Sequence, residues 1–200
     1  VAGGTGQRFG SNIPKQFLSL KGQPVLFHTI NAFYKFDTDI KFVITLPPDY
    51  FDFWKSLCEQ YKFKIPHQVV SGGETRFHSV KNGLEVIGNE GLVAIHDAVR
   101  PLVSYDTLER CFATAKSKGN AIPVVSLIDS IRELHGDSSK QVNRDNFVLI
   151  QTPQVFEVGL IKSAFKQSYS PDFTDDATVL ENTGRKIILV EGNRENIKIT

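Results

Sequence analysis

Methionine is absent from this 200-residue chain, tryptophan occurs once and cysteine only twice. Cys58 and Cys111 are isolated, and each falls in a stretch that reads as helix. That excludes a disulfide-stapled scaffold and a cysteine zinc site, and predicts two buried thiols in a reducing, cytoplasmic protein. No apolar run approaches membrane-spanning length and no signal-peptide pattern opens the chain, so no membrane association is expected. An excess of charge of one sign is lacking too. The net charge of +1 gives no general attraction to nucleic acid, so any basic site must be local. With no Met and a small-residue loop as its first residues, the chain reads as one domain over 1–200, clipped at both ends.

Two glycine-loop chemistries are missing as well. A dinucleotide fingerprint needs a third Gly after Gly4 and Gly6, but Phe9 stands there. A Walker A loop needs Gly-Lys-Ser/Thr, which occurs nowhere. What is there is Ala2, Gly3, Gly4, Gly6, Arg8 and Gly10, followed by Pro14-Lys15-Gln16. Small residues let backbone N–H groups approach an anion closely, and Arg8 and Lys15 add two fixed cations. A nucleoside triphosphate needs that combination, although a tight turn with two solvated cations uses the same residues. Pro14 biases Ile13 to extended backbone, so the loop lies along its ligand rather than opening a helix onto one phosphate.

Apolar periodicity predicts helices over 24–36, 49–61, 75–87, 104–118 and 177–182, and strands over 40–46, 67–70, 92–96 and 121–127. This alternation predicts an α/β fold with a mainly parallel sheet covered on both faces. Residues 128–146 break the rhythm with two short extended segments around a turn-rich tract, which reads as a projecting β-hairpin arm. Such a hairpin packs either on a second copy of the chain or back on its own domain.

Ligands gather at the carboxyl ends of strands in such sheets. The loops there carry Gly72-Gly73-Glu74-Thr75-Arg76 with Ser79, and His96-Asp97-Ala98-Val99-Arg100-Pro101. Asp97 can hold a sugar hydroxyl or Mg2+ and Arg100 can fork onto a phosphate, or the two can close the loop as a structural pair. His96 reads as a packed strand residue before a base, and Arg76 as a group that caps or staples its helix. Thr174 or Asp175 suits a helix N-cap. Lys198 lies between Ile197 and Ile199, and in an alternating strand it points away from the face they bury, to solvent or to the cleft.

Together these motifs, with Asp129-Ser130, Asn143-Arg144, Thr152-Pro153-Gln154 and Asn196-Ile197-Lys198, resemble the 2-C-methyl-D-erythritol 4-phosphate cytidylyltransferase family along the whole chain. The resemblance implies a Rossmann-like nucleotidyltransferase sandwich that uses CTP and a divalent cation such as Mg2+, with Asp97 a candidate metal ligand. It implies Arg8, Lys15 and Lys198 as the cations at the triphosphate. Ala2, Gly3, Gly4, Gly6, Gly73, Glu74 and Ser79 would surround the nucleoside. Asp97, Arg100, Thr152 and Thr174 would hold the acceptor, with Arg144 reaching across a homodimer from the arm. The Ala-Gly-Gly-Thr-Gly form also occurs in ribitol 5-phosphate cytidylyltransferases, whereas Ala98 and Ser79 favour methylerythritol. A CTP-binding sensor without catalysis is the alternative from another class, and it would not need Asp97, Arg100, Arg144 and Thr174.

Overall fold

Local chemistry starts and stops the helices where their capping residues stand. In the computed structural model, which describes residues 1, 2 and 13–200, helix α1 (Val25–Phe36) begins after Pro24 and buries Leu26, Phe27, Ile30 and Phe33. Helix α2 (Phe51–Gln60) follows a short turn at Pro48–Tyr50. Helix α3 (Arg76–Glu85) is capped by Thr75, whose side chain accepts from the His78 N–H. Helix α4 (Tyr105–Lys118) has Ser104 as N-cap and ends at Gly119, whose φ of +86° puts it in the left-handed region where glycine carries no Cβ penalty. Helices α5 (Val158–Ala164) and α6 (Asp176–Glu181) complete the set.

Strands β3 (Phe42–Leu46) and β4 (His67–Ser71) pair in parallel. Strand β5 (Leu92–Ile95) pairs antiparallel with β10 (Gln154–Glu157), and β10 pairs antiparallel with β6 (Asn120–Ser126). Beyond β10, β6 is joined by β9 (Val148–Ile150), and β11 (Leu189–Glu191) lies parallel along its other side. The sheet is therefore mixed. Strands β9 and β10 are elements that periodicity did not single out. Residues 1 and 2 bridge the two groups of strands: the Ala2 N–H donates to the Thr45 carbonyl and the Ala98 N–H donates to the Val1 carbonyl.

Alternation along the strands covers both faces, as period-two side-chain geometry requires. Val93, Ile95, Ile122 and Phe156 pack into one cluster with α3, α5 and α6. Their neighbours Leu92, Ala94, Ala121 and Val155 pack the other way, against Cys111, Phe112 and Ala115 of α4. A third cluster joins Phe17, Phe27, Trp54 and Leu57 to β3. Cys111 is fully buried as expected; Cys58 is only half-buried. Burial pushes the two thiols up, to about 12 and about 11, so neither is a reactive thiolate. Among the described residues, no helix is long and apolar enough to cross a membrane.

Two small hairpins complete the chain. One is β1 (Ser19–Leu20) with β2 (Gln23–Pro24). The other, β7 (Arg132–His135) with β8 (Ser138–Gln141), turns at Gly136 and exposes every residue of both strands. This arm exposes Ile128 and Leu134, and beside it β9, at the side of β6, exposes Val148, Leu149 and Ile150, with Phe147 exposed just before it.

Candidate active site

Strand β5 is hydrophobic and ends at Ile95, so the polar residues that follow emerge at its carboxyl end. Asp97 is the hub there. Its Oδ2 lies 3.1 Å from Lys198 Nζ and 3.3 Å from Arg100 Nε, and its Oδ1 lies 3.7 Å from Arg76 Nε. Burial alone would push this carboxyl up, but Arg76 and Lys198 outweigh it and hold Asp97 well below the usual carboxylate range. The carboxylate is thus a permanent anion surrounded by three cations.

His96 is not placed as a base. Its Nε2 lies 3.0 Å from the Arg100 carbonyl, an acceptor, so that nitrogen carries the proton. Its Nδ1 then accepts from Thr152 Oγ1 at 2.9 Å, and Thr152 Oγ1 in turn accepts from the Asp97 N–H at 3.1 Å. Burial lowers the imidazole from 6.5 to about 4, so the ring is neutral near pH 7. The ring of Phe33 packs edge-on against it at 4.9 Å. A neutral histidine and a threonine hydroxyl therefore fix the backbone at both ends of the Asp97–Arg100 loop.

Residues 193–198 close the other side. Arg100 Nη1 donates to the Asn196 carbonyl at 2.7 Å, and Asn196 Nδ2 donates to the Thr152 carbonyl at 2.7 Å. Asn196 is fully buried and Gln151 nearly so; Asn196 Oδ1 and Gln151 Oε1 have no hydrogen-bond partner among the described residues. No strand forms at 197–199, which corrects the expected alternation: Ile197 is 61% exposed and Ile199 is half-buried. The Asn196 anchor, not a strand pleat, sends Lys198 to Asp97. Asn196 carries no local sequence signal for that role beyond its place two residues before the lysine.

The nucleotide-side loop is ordered by α3. The Gly73 N–H donates to Ser79 Oγ at 3.0 Å, and Ser79 Oγ donates to the Thr75 carbonyl at 3.0 Å. A Cβ at Gly73 would sit 2.3 Å from His78 Cβ and 3.0 Å from the His78 carbonyl carbon, so only glycine fits this close approach. Glu74 is exposed beside it. On the same helix turn, Arg76 staples α3 to α6: Nη1 and Nη2 meet the two oxygens of Asp176 at 2.8 and 2.6 Å. Burial works against the Arg76 charge, but Asp176 and Asp97 hold the guanidinium above its ordinary value. Asp175, not Thr174, caps α6, accepting from the Thr178 N–H at 2.8 Å, while Gln154 Nε2 donates to its other oxygen. Thr174 is exposed just before the cap.

Lys15 lies in the short turn Lys15–Phe17, which Phe17 anchors among Tyr50, Phe53 and Trp54. Gln16 is buried and its Nε2 donates to the Ala2 carbonyl at 2.8 Å, tying this turn to the segment beside Ala98. Gly3, Gly4, Gly6 and Arg8 lie outside the described residues. Arg144 is exposed on the arm and donates to the Ile128 carbonyl of that arm. Of the expected residues, Asp97, Arg100, Thr152 and Lys198 converge directly, and Ser79 and Gly73 form a second group joined to them through Arg76.

The described residues offer no all-protein cage for a divalent ion. Among those described, no group of three or more His, Cys, Asp or Glu side chains could hold one. Asp97, the expected ligand, is already opposed by three cations.

The chain matches the family model for 2-C-methyl-D-erythritol 4-phosphate cytidylyltransferase over residues 1–200. It is 51% identical over 200 residues to the 2-C-methyl-D-erythritol 4-phosphate cytidylyltransferase of Phocaeicola vulgatus, covering 100% of this chain and 91% of that one. The crystal structure of the enzyme of that name from Thermus thermophilus superimposes with a TM-score of 0.81 at 30% identity, covering 100% and 89% of the two chains. That from Francisella tularensis does so with a TM-score of 0.79 at 34% identity, covering 100% and 91%. By its full-length match and by its fold, the chain belongs to the 2-C-methyl-D-erythritol 4-phosphate cytidylyltransferase family.

Proposed function

We propose that this protein transfers CMP from CTP to 2-C-methyl-D-erythritol 4-phosphate, giving 4-diphosphocytidyl-2-C-methyl-D-erythritol and pyrophosphate. The full-length family match carries the reading. A phosphate oxygen of the acceptor attacks the α-phosphorus of CTP in line, and the bond to the bridging oxygen of the β-phosphate breaks. A phosphate dianion is already a nucleophile, so no general base is needed, in keeping with a neutral, fully hydrogen-bonded His96. The task of the protein is to gather two anions and stabilise the charge that develops between them.

Arg8, Lys15 and Lys198 are the proposed cations at the triphosphate. Ala2, Gly3, Gly4, Gly6, Gly73, Glu74 and Ser79 would surround the cytosine and ribose. Asp97, Arg100, Thr152 and Thr174 would hold the acceptor. Mg2+ is proposed as a counter-ion that travels with CTP, as part of the substrate. A homodimer through the arm is also proposed: Ile128 and Leu134 on it and Phe147, Val148, Leu149 and Ile150 beside it at β9 stand exposed, apolar side chains that water disfavours and a second copy would cover. Arg144 would then reach the acceptor phosphate of the neighbouring subunit. A cytoplasmic location suits two unpaired thiols.

Pyrophosphate release from Mg·CTP, measured with methylerythritol 4-phosphate and separately with ribitol 5-phosphate, tests the proposal. Release with the first is the expected result. Release with ribitol 5-phosphate alone would move the acceptor, and CTP binding without release would leave a sensor module.

A further inference from the structure

The first turn of α3 touches both halves of the site, and Arg76 is where they meet. Ser79 and Thr75 on this turn order the Gly72–Gly73 loop. On the same turn, Phe77 stacks on Phe173, the residue before Thr174, with ring centroids 5.6 Å apart. Arg76 uses both Nη atoms on the fully buried Asp176, at 2.8 and 2.6 Å. That fork fixes the plane of the guanidinium and turns Nε to Asp97 Oδ1 at 3.7 Å. The distance is too long for a hydrogen bond and short enough for strong attraction. Among the described residues Oδ1 therefore keeps its lone pairs for a hydroxyl donor, whereas Oδ2 is taken by Lys198 and Arg100.

We infer that Arg76 is a positioning residue for the acceptor: held by Asp176, it aims Asp97 Oδ1 at an acceptor hydroxyl without contacting the acceptor itself. The inference rests on the proposed cytidylyl transfer and on the place of Asp97 in it. It has a consequence that a merely structural staple would not share. Arg76 sits on the helix that orders the nucleotide loop, so general loosening of α3 would weaken CTP and acceptor together. Loss of aim at Asp97 weakens the acceptor alone.

The test is steady-state kinetics on Arg76→Lys, Arg76→Gln, Asp176→Asn and the double variant Arg76→Gln/Asp176→Asn, which leaves no buried charge unpaired if the single variants fold poorly. In each, the acceptor KM should rise about tenfold or more while the CTP KM stays within about threefold. Arg76→Lys should fall between wild type and Arg76→Gln, because a lysine restores the charge but not the fork. Equal shifts in both KM values, or none in the acceptor KM, would overturn the inference. If wild type transfers CMP to neither acceptor, the proposed function fails instead. Tm values of Arg76→Gln, Asp97→Asn and their combination then decide whether Arg76 acts on Asp97: non-additive shifts support the coupling, and additive shifts overturn it.

Discussion

Lowering the pH should loosen this fold through one histidine, and the size of the effect follows from the site. His96 is buried and neutral, its Nε2 proton given to the Arg100 carbonyl and its Nδ1 taken by the Thr152 hydroxyl. Burial lowers the ring from 6.5 to about 4. A base whose pKa falls on folding stabilises the fold fully above its unfolded value, and that stability is lost as pH drops toward the folded value. The window is therefore pH 6.5 down to about 4. The whole shift is worth about 3 kcal/mol, at ~1.4 kcal/mol for each tenfold in proton affinity. About 2 kcal/mol of it should disappear between pH 7 and pH 4.5. Asp97, held low, adds to the loss only below the ordinary carboxylate value of 3.8. Asp176, which burial pushes upward, works in the opposite sense above it. Urea denaturation of wild type and His96→Gln across this range isolates the histidine: the difference in stability between the two should shrink by about 2 kcal/mol as pH falls. A difference that stays constant with pH, or grows on acidification, would refute a neutral, buried His96.

Other substitutions follow from the same geometry. Gly73→Ala should cost about 1–3 kcal/mol of stability and raise the CTP KM, because the new methyl meets His78 backbone as well as its Cβ; an unchanged Tm and KM would contradict the close packing. Thr152→Val keeps the shape but strips the Asp97 N–H and His96 Nδ1 of their partner, and thermal denaturation should register about 1–3 kcal/mol of lost stability. Lys198→Ala should lower turnover by roughly 10²–10³, by analogy with removal of an oxyanion-hole donor, with near-normal pyrophosphate release counting against the assignment. Mixing Arg144→Ala chains with Lys15→Ala chains should restore partial activity if the arm completes the neighbouring site, and verified heterodimers without recovery would place the arm's role elsewhere.

The parts of this protein legible in its sequence are those governed by nearest neighbours along the chain. Caps, apolar periodicity and turn residues located α1, α3, α4, β3 and β5, because a helix or a half-buried strand writes its period into every few residues. The sequence also marked Asp97, Arg100, Thr152 and Lys198, because polar residues following an apolar strand, or matching a family motif, stand out locally. It could not choose between an Asp97–Arg100 pair that merely closes a loop and one set among further cations, nor between Thr174 and Asp175 as the cap. Tertiary structure decided those questions. Arg76 and Asp176 are 100 residues apart, and Arg100 and Asn196 are 96 apart. A charge or an amide announces that it needs a partner but not which one. The alternation read at 197–199 failed for the same reason: Asn196, anchored on Thr152, overrode a three-residue pattern too short to bury a face of its own. Folding brings those distant groups into one dehydrated cluster, and it is there that each carboxylate, guanidinium and imidazole acquires its protonation state and its aim.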